Sequence, residues 1–174
     1  MSRRQYNKWR GRQDGTVEVI LTQGQVALVD EGDWSKVQPY KWCALHTGTC
    51  WYAVTNVLVA SNKWARLRMH RVILDAPDDK FVDHINRNGL DNRRCNLRLA
   101  THAQNMANQA ARSGTSSQYK GVYKITNRLL RKPWRAYCGR KKLGCFATER
   151  EAALAYNRAA KKKWGEFALL NDAE

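Results

Sequence analysis

Strand-like alternation dominates the first third of the chain. Thr16-Val-Glu-Val-Ile20, Gln25-Val-Ala-Leu-Val29, Trp51-Tyr-Ala-Val54 and Ala65-Arg-Leu-Arg-Met69 are short runs rich in β-branched and aromatic residues, with Gly, Asn, Asp and Pro between them. Period-two alternation buries one face of a strand and wets the other, so Thr16 to about Arg71 predicts a β region. Val82-Asp-His-Ile85 predicts one more short strand, followed by a polar loop of Asn, Asp and Gly. Thr101-x-x-Gln104 then has the spacing of a helix cap, with Asn105 in the first turn. Arg112-Ser-Gly-Thr-Ser-Ser-Gln118 reads as a linker. Beyond it, short strands lead to a well-marked helix. Thr148-x-x-Glu151 is a capping box, Ala152, Ala155, Tyr156 and Ala159 form an apolar stripe, and Gly165 supplies the stop. The expectation is an α+β protein: residues 1–110 as a β region with a strand–loop–helix, 111–117 as a linker, and 118–174 as a sheet-plus-helix domain.

Charge narrows the class of partner. The 174 residues carry 31 Lys/Arg against 15 Asp/Glu, a net of +16. Such a surplus is the footprint of a protein that meets a polyanion. It is denser after residue 110, with 15 basic against 5 acidic residues, than before it, with 16 against 10. The basic residues are interleaved with Trp and Tyr, and no long apolar run suggests a spanning helix. Met1 to Arg12 lacks the apolar stretch of a secretory signal. Cys43, Cys50, Cys95, Cys138 and Cys145 form no C-x-x-C pair, so they read as free thiols in a reducing, intracellular setting. Cys43 and Cys50 are the one pair whose spacing leaves a metal role open.

The chemistry concentrates between Phe81 and Asn105. A hard divalent ion takes oxygen ligands, and the Asp83 carboxylate with the Asn105 amide oxygen supplies two, leaving room for water and phosphate. His84, with an ordinary pKa near ~6.5, suits removal of a proton from an attacking water at neutral pH. Adjacent strand residues point to opposite faces, so Asp83 and His84 share one centre only through distortion or separate access. His70 reads as a packed structural histidine. His102 faces solvent or phosphate rather than the centre. Arg87, Arg93 and Arg94 are candidates for phosphate contacts, or for a solvated loop.

Met69-His-Arg-Val-Ile73, Val82-Asp-His-Ile-Asn86, Asp91-Asn92, Asn96-Leu-Arg98 and Thr101-x-x-Gln-Asn105 together resemble the HNH homing endonucleases, in the subgroup with Asn at the last position of the name. The resemblance implies a ββα fold around one metal ion, Mg²⁺ or Mn²⁺. It implies Asp83 and Asn105 as metal ligands, His84 as general base, and Asn96 as the brace that orients His84.

The segment after the linker carries a second resemblance. Tyr119-Lys-Gly-Val-Tyr123, Pro133-Trp-Arg-Ala-Tyr-Cys138, Lys142-Leu-Gly-Cys-Phe-Ala-Thr148 and Phe167-Ala-Leu-Leu-Asn171 are similar to the Apetala-type (ethylene-response-factor) DNA-binding domain. That family folds as a three-stranded antiparallel sheet on one helix and places the sheet in the DNA major groove. Alternation puts Trp134, Ala136 and Cys138 toward the helix and Arg135 and Tyr137 outward, joined by Lys120, Tyr123, Arg140 and Lys142. Tyr123, Tyr137 and Lys142 depart from the residues common in plant members, so no target sequence carries over.

The expected function is therefore site-specific, metal-dependent hydrolysis of double-stranded DNA by a monomer or homodimer, one strand at a time. The rival reading is a DNA-binding regulator with a decayed nuclease centre. The intact Asp83, His84, Asn96 and Asn105 set argues against decay.

Overall fold

A computed structural model describes residues 7–111, 114–126 and 130–173. The chain folds as two compact units, Met1–His102 and Ala103–Glu174. Arg112 and Ser113 of the expected linker lie outside the described residues.

The first unit is built from antiparallel sheets. Strands β1 (Trp9–Gly11), β2 (Thr16–Ile20) and β3 (Val26–Asp30) form one meander in that order. In β2 and β3, Val17 pairs with Val29 and Val19 with Ala27, and all four are buried. Glu18 is buried as well, and Arg10 and Arg12 both bond its carboxylate, which holds the acid below its usual pKa. A short helix α1 (Trp34–Val37) then leads into a second sheet, β4 (Cys43–His46), β5 (Trp51–Ala60) and β6 (Lys63–Arg68).

The alternating run at 65–69 ends one residue earlier than its pattern predicts. β6 stops at Arg68, and Met69, fully buried, opens helix α2 (Met69–Leu74). Met69 and Ile73 lie one helical turn apart, so both enter the core on one helix face. Helix α2 ends at Asp75 in the left-handed region, φ 48°. Trp42, Met69, Ile73, Val37 and the β2–β3 residues make one continuous core with Leu90 and Leu97. Those two leucines come from the segment that holds the chemistry.

That segment is a two-stranded ribbon, β7 (Phe81–His84) with β8 (Leu97–Ala100). Helix α3 (His102–Asn108) follows. Among the described residues, no helix is long and apolar enough to cross a membrane.

The second unit has the expected three-stranded antiparallel sheet on one helix. β9 (Val122–Lys124) and β11 (Lys141–Phe146) flank β10 (Trp134–Cys138), and helix α4 (Glu149–Trp164) covers one face. The cap is the one the sequence predicts. Thr148 accepts from the Glu151 amide while the Glu151 carboxylate accepts from the Thr148 amide, and Gly165 ends the helix at φ 55°. The buried stripe is Ala152, Ala153, Tyr156 and Ala160, with Ala155 and Ala159 half-buried at its margin. Gly121, at φ 74°, is held so close to the Tyr156 ring that any Cβ would overlap it. At the far end of the expected linker, buried Ser117 donates to Glu149 and accepts from the Tyr119 amide, tying this stretch to the start of α4.

Candidate active site

Asp83 and His84 are both buried, and they sit on opposite faces of the β7–β8 ribbon. Asp83 lies across from Arg98, whose Nε and Nη2 both donate to its Oδ2 at 2.9 and 2.8 Å. His84 lies across from Leu97 and enters a ring cluster. Its imidazole packs edge-on against His70 at 4.9 Å between centroids, and the Tyr52 ring stands 6.0 Å away. His70 is thus the packed histidine that the sequence suggests. The two functional side chains use different faces, and the Asp83 charge still reaches His84, where it favours the protonated ring. Burial outweighs that effect and lowers the His84 pKa. A lowered pKa keeps the imidazole neutral at pH 7 and able to accept a proton.

The loop between β7 and β8 is held by side-chain amides. Asn96 is buried; its Oδ1 accepts from the Asn86 amide at 2.8 Å and its Nδ2 donates to the Asp91 carbonyl at 2.7 Å. One side chain therefore spans the loop mouth directly behind His84. Asp91, also buried, accepts from Asn86 Nδ2 and takes Arg93 in a two-pronged ion pair at 2.8 Å on each oxygen. Those bonds lower the Asp91 pKa.

Asn92 belongs to the motif quoted from the sequence but has no role assigned there, and it lies against the imidazole. It has no exposed surface, its Nδ2 donates to the Leu90 carbonyl at 3.0 Å, and its Oδ1 lies 3.5 Å from His84 Nε2. Because Nδ2 is used on Leu90, the oxygen faces the ring. In the tautomer with the hydrogen on Nε2, this oxygen accepts it and Nδ1 is the basic nitrogen.

The N-terminal sheet grips this loop. The Leu28 amide donates to the Leu90 carbonyl and the Leu28 carbonyl accepts from the Asn92 amide, each at 2.8 Å, a parallel bridge between β3 and the loop. The Asp30 carboxylate accepts from the Arg94 amide, and Asp33 takes the Arg94 guanidinium in two bonds of 2.7 Å. The Cys50 thiol accepts from the Gly89 amide at 3.3 Å, so this cysteine is engaged with the loop. Gly89 packs against the Tyr52 ring with no room for a Cβ.

The other residues expected at the centre or on DNA are spread over both units. Arg87 is exposed at the loop tip, with a left-handed backbone at φ 64°. Arg93 and Arg94 are turned onto Asp91 and Asp33. Asn105 is half-buried on α3, which groups with the second unit. His102 is exposed, its ring 5.2 Å from Phe81. In the second unit, Tyr123 and Tyr137 meet edge-on at 6.0 Å, and Arg135 pairs with Tyr123 on the same face. A bulge at Leu143 turns that side chain into the core and sets Lys142 opposite Tyr137, so Lys142 joins this outer face. Arg140 is exposed in the adjoining turn. Lys120 precedes β9 and is half-buried; its ammonium donates to the carbonyls of Met106, Ala107 and Gln109 at the end of α3.

A buried imidazole whose pKa burial lowers, at the end of β7 and facing a loop held by β3 and Cys50, is suited to activating water for hydrolysis. Residues 75–107 match the family model described as HNH endonuclease. The chain is 34% identical over 154 residues to an uncharacterized HNH endonuclease of Acanthamoeba polyphaga mimivirus, covering 85% of this chain and 75% of that protein. No solved structure matches. The chain belongs to the HNH endonucleases, hydrolases that cleave DNA.

Proposed function

We propose that this protein is a site-specific endonuclease of the homing type that hydrolyses one phosphodiester of double-stranded DNA at a time. In this reading a divalent ion, Mg²⁺ or Mn²⁺, assists the reaction, and the second unit binds the target. The observation that carries the reading is His84: buried at the end of β7, its pKa lowered by that burial, and faced by Asn92 from a loop that Asn96 closes.

The donor set fits a hard ion. Among the described residues, no group of three or more His, Cys, Asp or Glu gathers to form a protein cage. A site of one carboxylate and one amide oxygen suits an ion that keeps several waters and binds phosphate directly. Asp83 would hold it with Asn105, the latter assigned by family resemblance. When bound, the ion supplies positive charge at the phosphate and at the leaving oxygen.

The chain's own residues do the rest. His84 Nδ1 takes a proton from water as the water oxygen attacks phosphorus, the opposite P–O bond to the sugar breaks, and the departing sugar oxygen takes a proton from solvent. Asn92 fixes the ring by accepting from Nε2. Arg98 orients the Asp83 carboxylate by occupying Oδ2, and Asn96 keeps the loop shut behind the imidazole. In the second unit, Tyr123, Arg135, Tyr137, Arg140 and Lys142 offer one polar, basic sheet face to DNA, which a β surface of this size contacts through the major groove. The test is incubation of the full chain with supercoiled plasmid, with Mg²⁺ or Mn²⁺ and in EDTA. Nicked circles formed only with metal, and only with His84 intact, are expected. Equal cutting in EDTA overturns the reading.

A further inference from the structure

The β5–β6 hairpin has two unlike faces. Register sets Val54 opposite Arg68, Asn56 opposite Arg66, and Leu58 opposite Trp64, so these residues share one face. Alternation places Tyr52 on that face too. The other face, with Thr55 opposite Leu67 and Val57 opposite Ala65, is buried or half-buried and turned to the protein. The first face therefore starts at the ring cluster around His84, where Arg68 also lies 5.5 Å over the Tyr52 ring, and runs outward into solvent. It ends in two large apolar side chains, Leu58 and Trp64, which are 57% and 65% exposed. A bulge at Val59 and the left-handed Asn62, φ 58°, close the turn beyond them.

Charge identifies what covers this face. No Asp or Glu occurs between Asp33 and Asp75, whereas Lys63, Arg66 and Arg68 all project from the hairpin and are exposed. An exposed apolar pair whose charged neighbours on the hairpin are all cations, and which is joined to a nuclease centre, suits a polyanion with stacked apolar rings. We propose that this hairpin face lies along duplex DNA beside the cleavage centre, with Arg66 and Arg68 on phosphates and Leu58–Trp64 wedged between base steps. Apolar side chains inserted in this way from the minor groove unstack and unwind the duplex. From Tyr52 to Leu58 the strand rises about 20 Å, roughly six base-pair steps from the cleaved bond. The inference rests on the nuclease reading for its substrate, and adds a second grip in the first unit.

The test uses the full chain in EDTA on a random-sequence duplex. The Arg66→Ala/Arg68→Ala double variant should bind with a salt slope shallower by roughly 2 units, since each phosphate contact contributes about 0.9. Arg66→Lys should keep the wild-type slope. Trp64→Ala should also keep it, but should lose unwinding, read as negative supercoils left in a closed plasmid relaxed by a metal-independent topoisomerase at matched occupancy. These side chains are exposed, so circular dichroism spectra of the variants should match wild type. An unchanged slope in the double variant, or full unwinding by Trp64→Ala, overturns the proposal while leaving the nuclease reading intact. A fall from dimer to monomer mass in Trp64→Ala with an unchanged slope would instead make the tip a contact between copies, and would also overturn it. A wild-type protein that binds no duplex removes the nuclease reading itself.

Discussion

Asn92 presents its side-chain oxygen to His84 Nε2 at 3.5 Å while its amide nitrogen is held by Leu90. Removing that side chain frees the imidazole to turn and takes from the Leu90 carbonyl one of its two donors, the Leu28 amide remaining. Asn92→Ala should therefore lower kcat by up to about 10²-fold with little change in KM, as small misplacements of a catalytic group do. It should also lower stability by about 0.5–1.5 kcal/mol, from the one lost hydrogen bond. Single-turnover rates and thermal melts check both. Wild-type kcat in a folded Asn92→Ala protein would remove Asn92 from the positioning role.

His84→Ala removes the base and none of the basic surface. Cleavage should fall by ~10²–10⁴-fold, and affinity for DNA measured in EDTA should stay at the wild-type value. Lost affinity would assign His84 to binding rather than chemistry.

The Asp83–Arg98 pair is almost wholly buried, with side chains 5% and 13% exposed. Arg98→Ala leaves a carboxylate without its partner, a change that costs on the order of 3 kcal/mol. Urea unfolding of the full chain measures it. A variant within about 0.5 kcal/mol of wild type would show that Arg98 does not hold Asp83.

Stability should fall between pH 6.5 and 5. Burial first, then the charges of His84, Arg68 and Arg71, hold the His70 pKa well below its usual value. The folded state thus binds this proton more weakly than the unfolded chain. Its contribution is complete above pH ~6.5 and is lost as pH falls, by up to about 1.4 kcal/mol per unit. Burial gives His84 the same sign. Asp14, Glu18 and Asp91, with lowered pKa values, lose their contributions only below about pH 4. Thermal melts from pH 8 to 5 should show the loss, and His70→Gln should shrink it. A flat profile overturns the assignment.

In the second unit, exposed Arg140 and Lys142 are expected to lie on phosphates. Their double alanine variant should bind DNA with a salt slope shallower by roughly 2 units. Lys120→Met should act differently: its ammonium holds the end of α3, so melting should suffer. A binding series at several salt concentrations, beside melts, separates the two. A Lys120→Met protein with normal melting and a shallower slope would return Lys120 to the DNA surface.

The parts of this architecture written in neighbouring residues were readable from sequence. The Thr148–Glu151 cap and the Gly165 stop are local backbone chemistry. The same holds for the Asp83–His84 strand, whereas Asn96 is named only through the family resemblance. The rest depends on distant pairings. No pattern in the sequence links Leu28 to Asp91, Asp33 to Arg94, or the Cys50 thiol to Gly89, because hydrogen bonds across sheets leave no period to detect. Met69 was hidden for another reason: an apolar residue continues a strand alternation as well as it opens a buried helix face. Lys120 shows the same ambiguity, because a long cationic chain near a sheet reads as a DNA contact until a helix end takes its three donors.

The Leu28 bridge bears on how this nuclease centre can be moved between proteins. The family match begins at residue 75, but the loop carrying His84's partner is hydrogen-bonded to a strand some sixty residues upstream. A graft of the matched segment alone would carry the reacting side chains but leave the Leu90 carbonyl short of one of its two donors and the Asn92 amide without the Leu28 carbonyl. The transplantable unit is discontinuous: the ribbon and its loop, together with β3 and the Asp30–Asp33 turn that follows it.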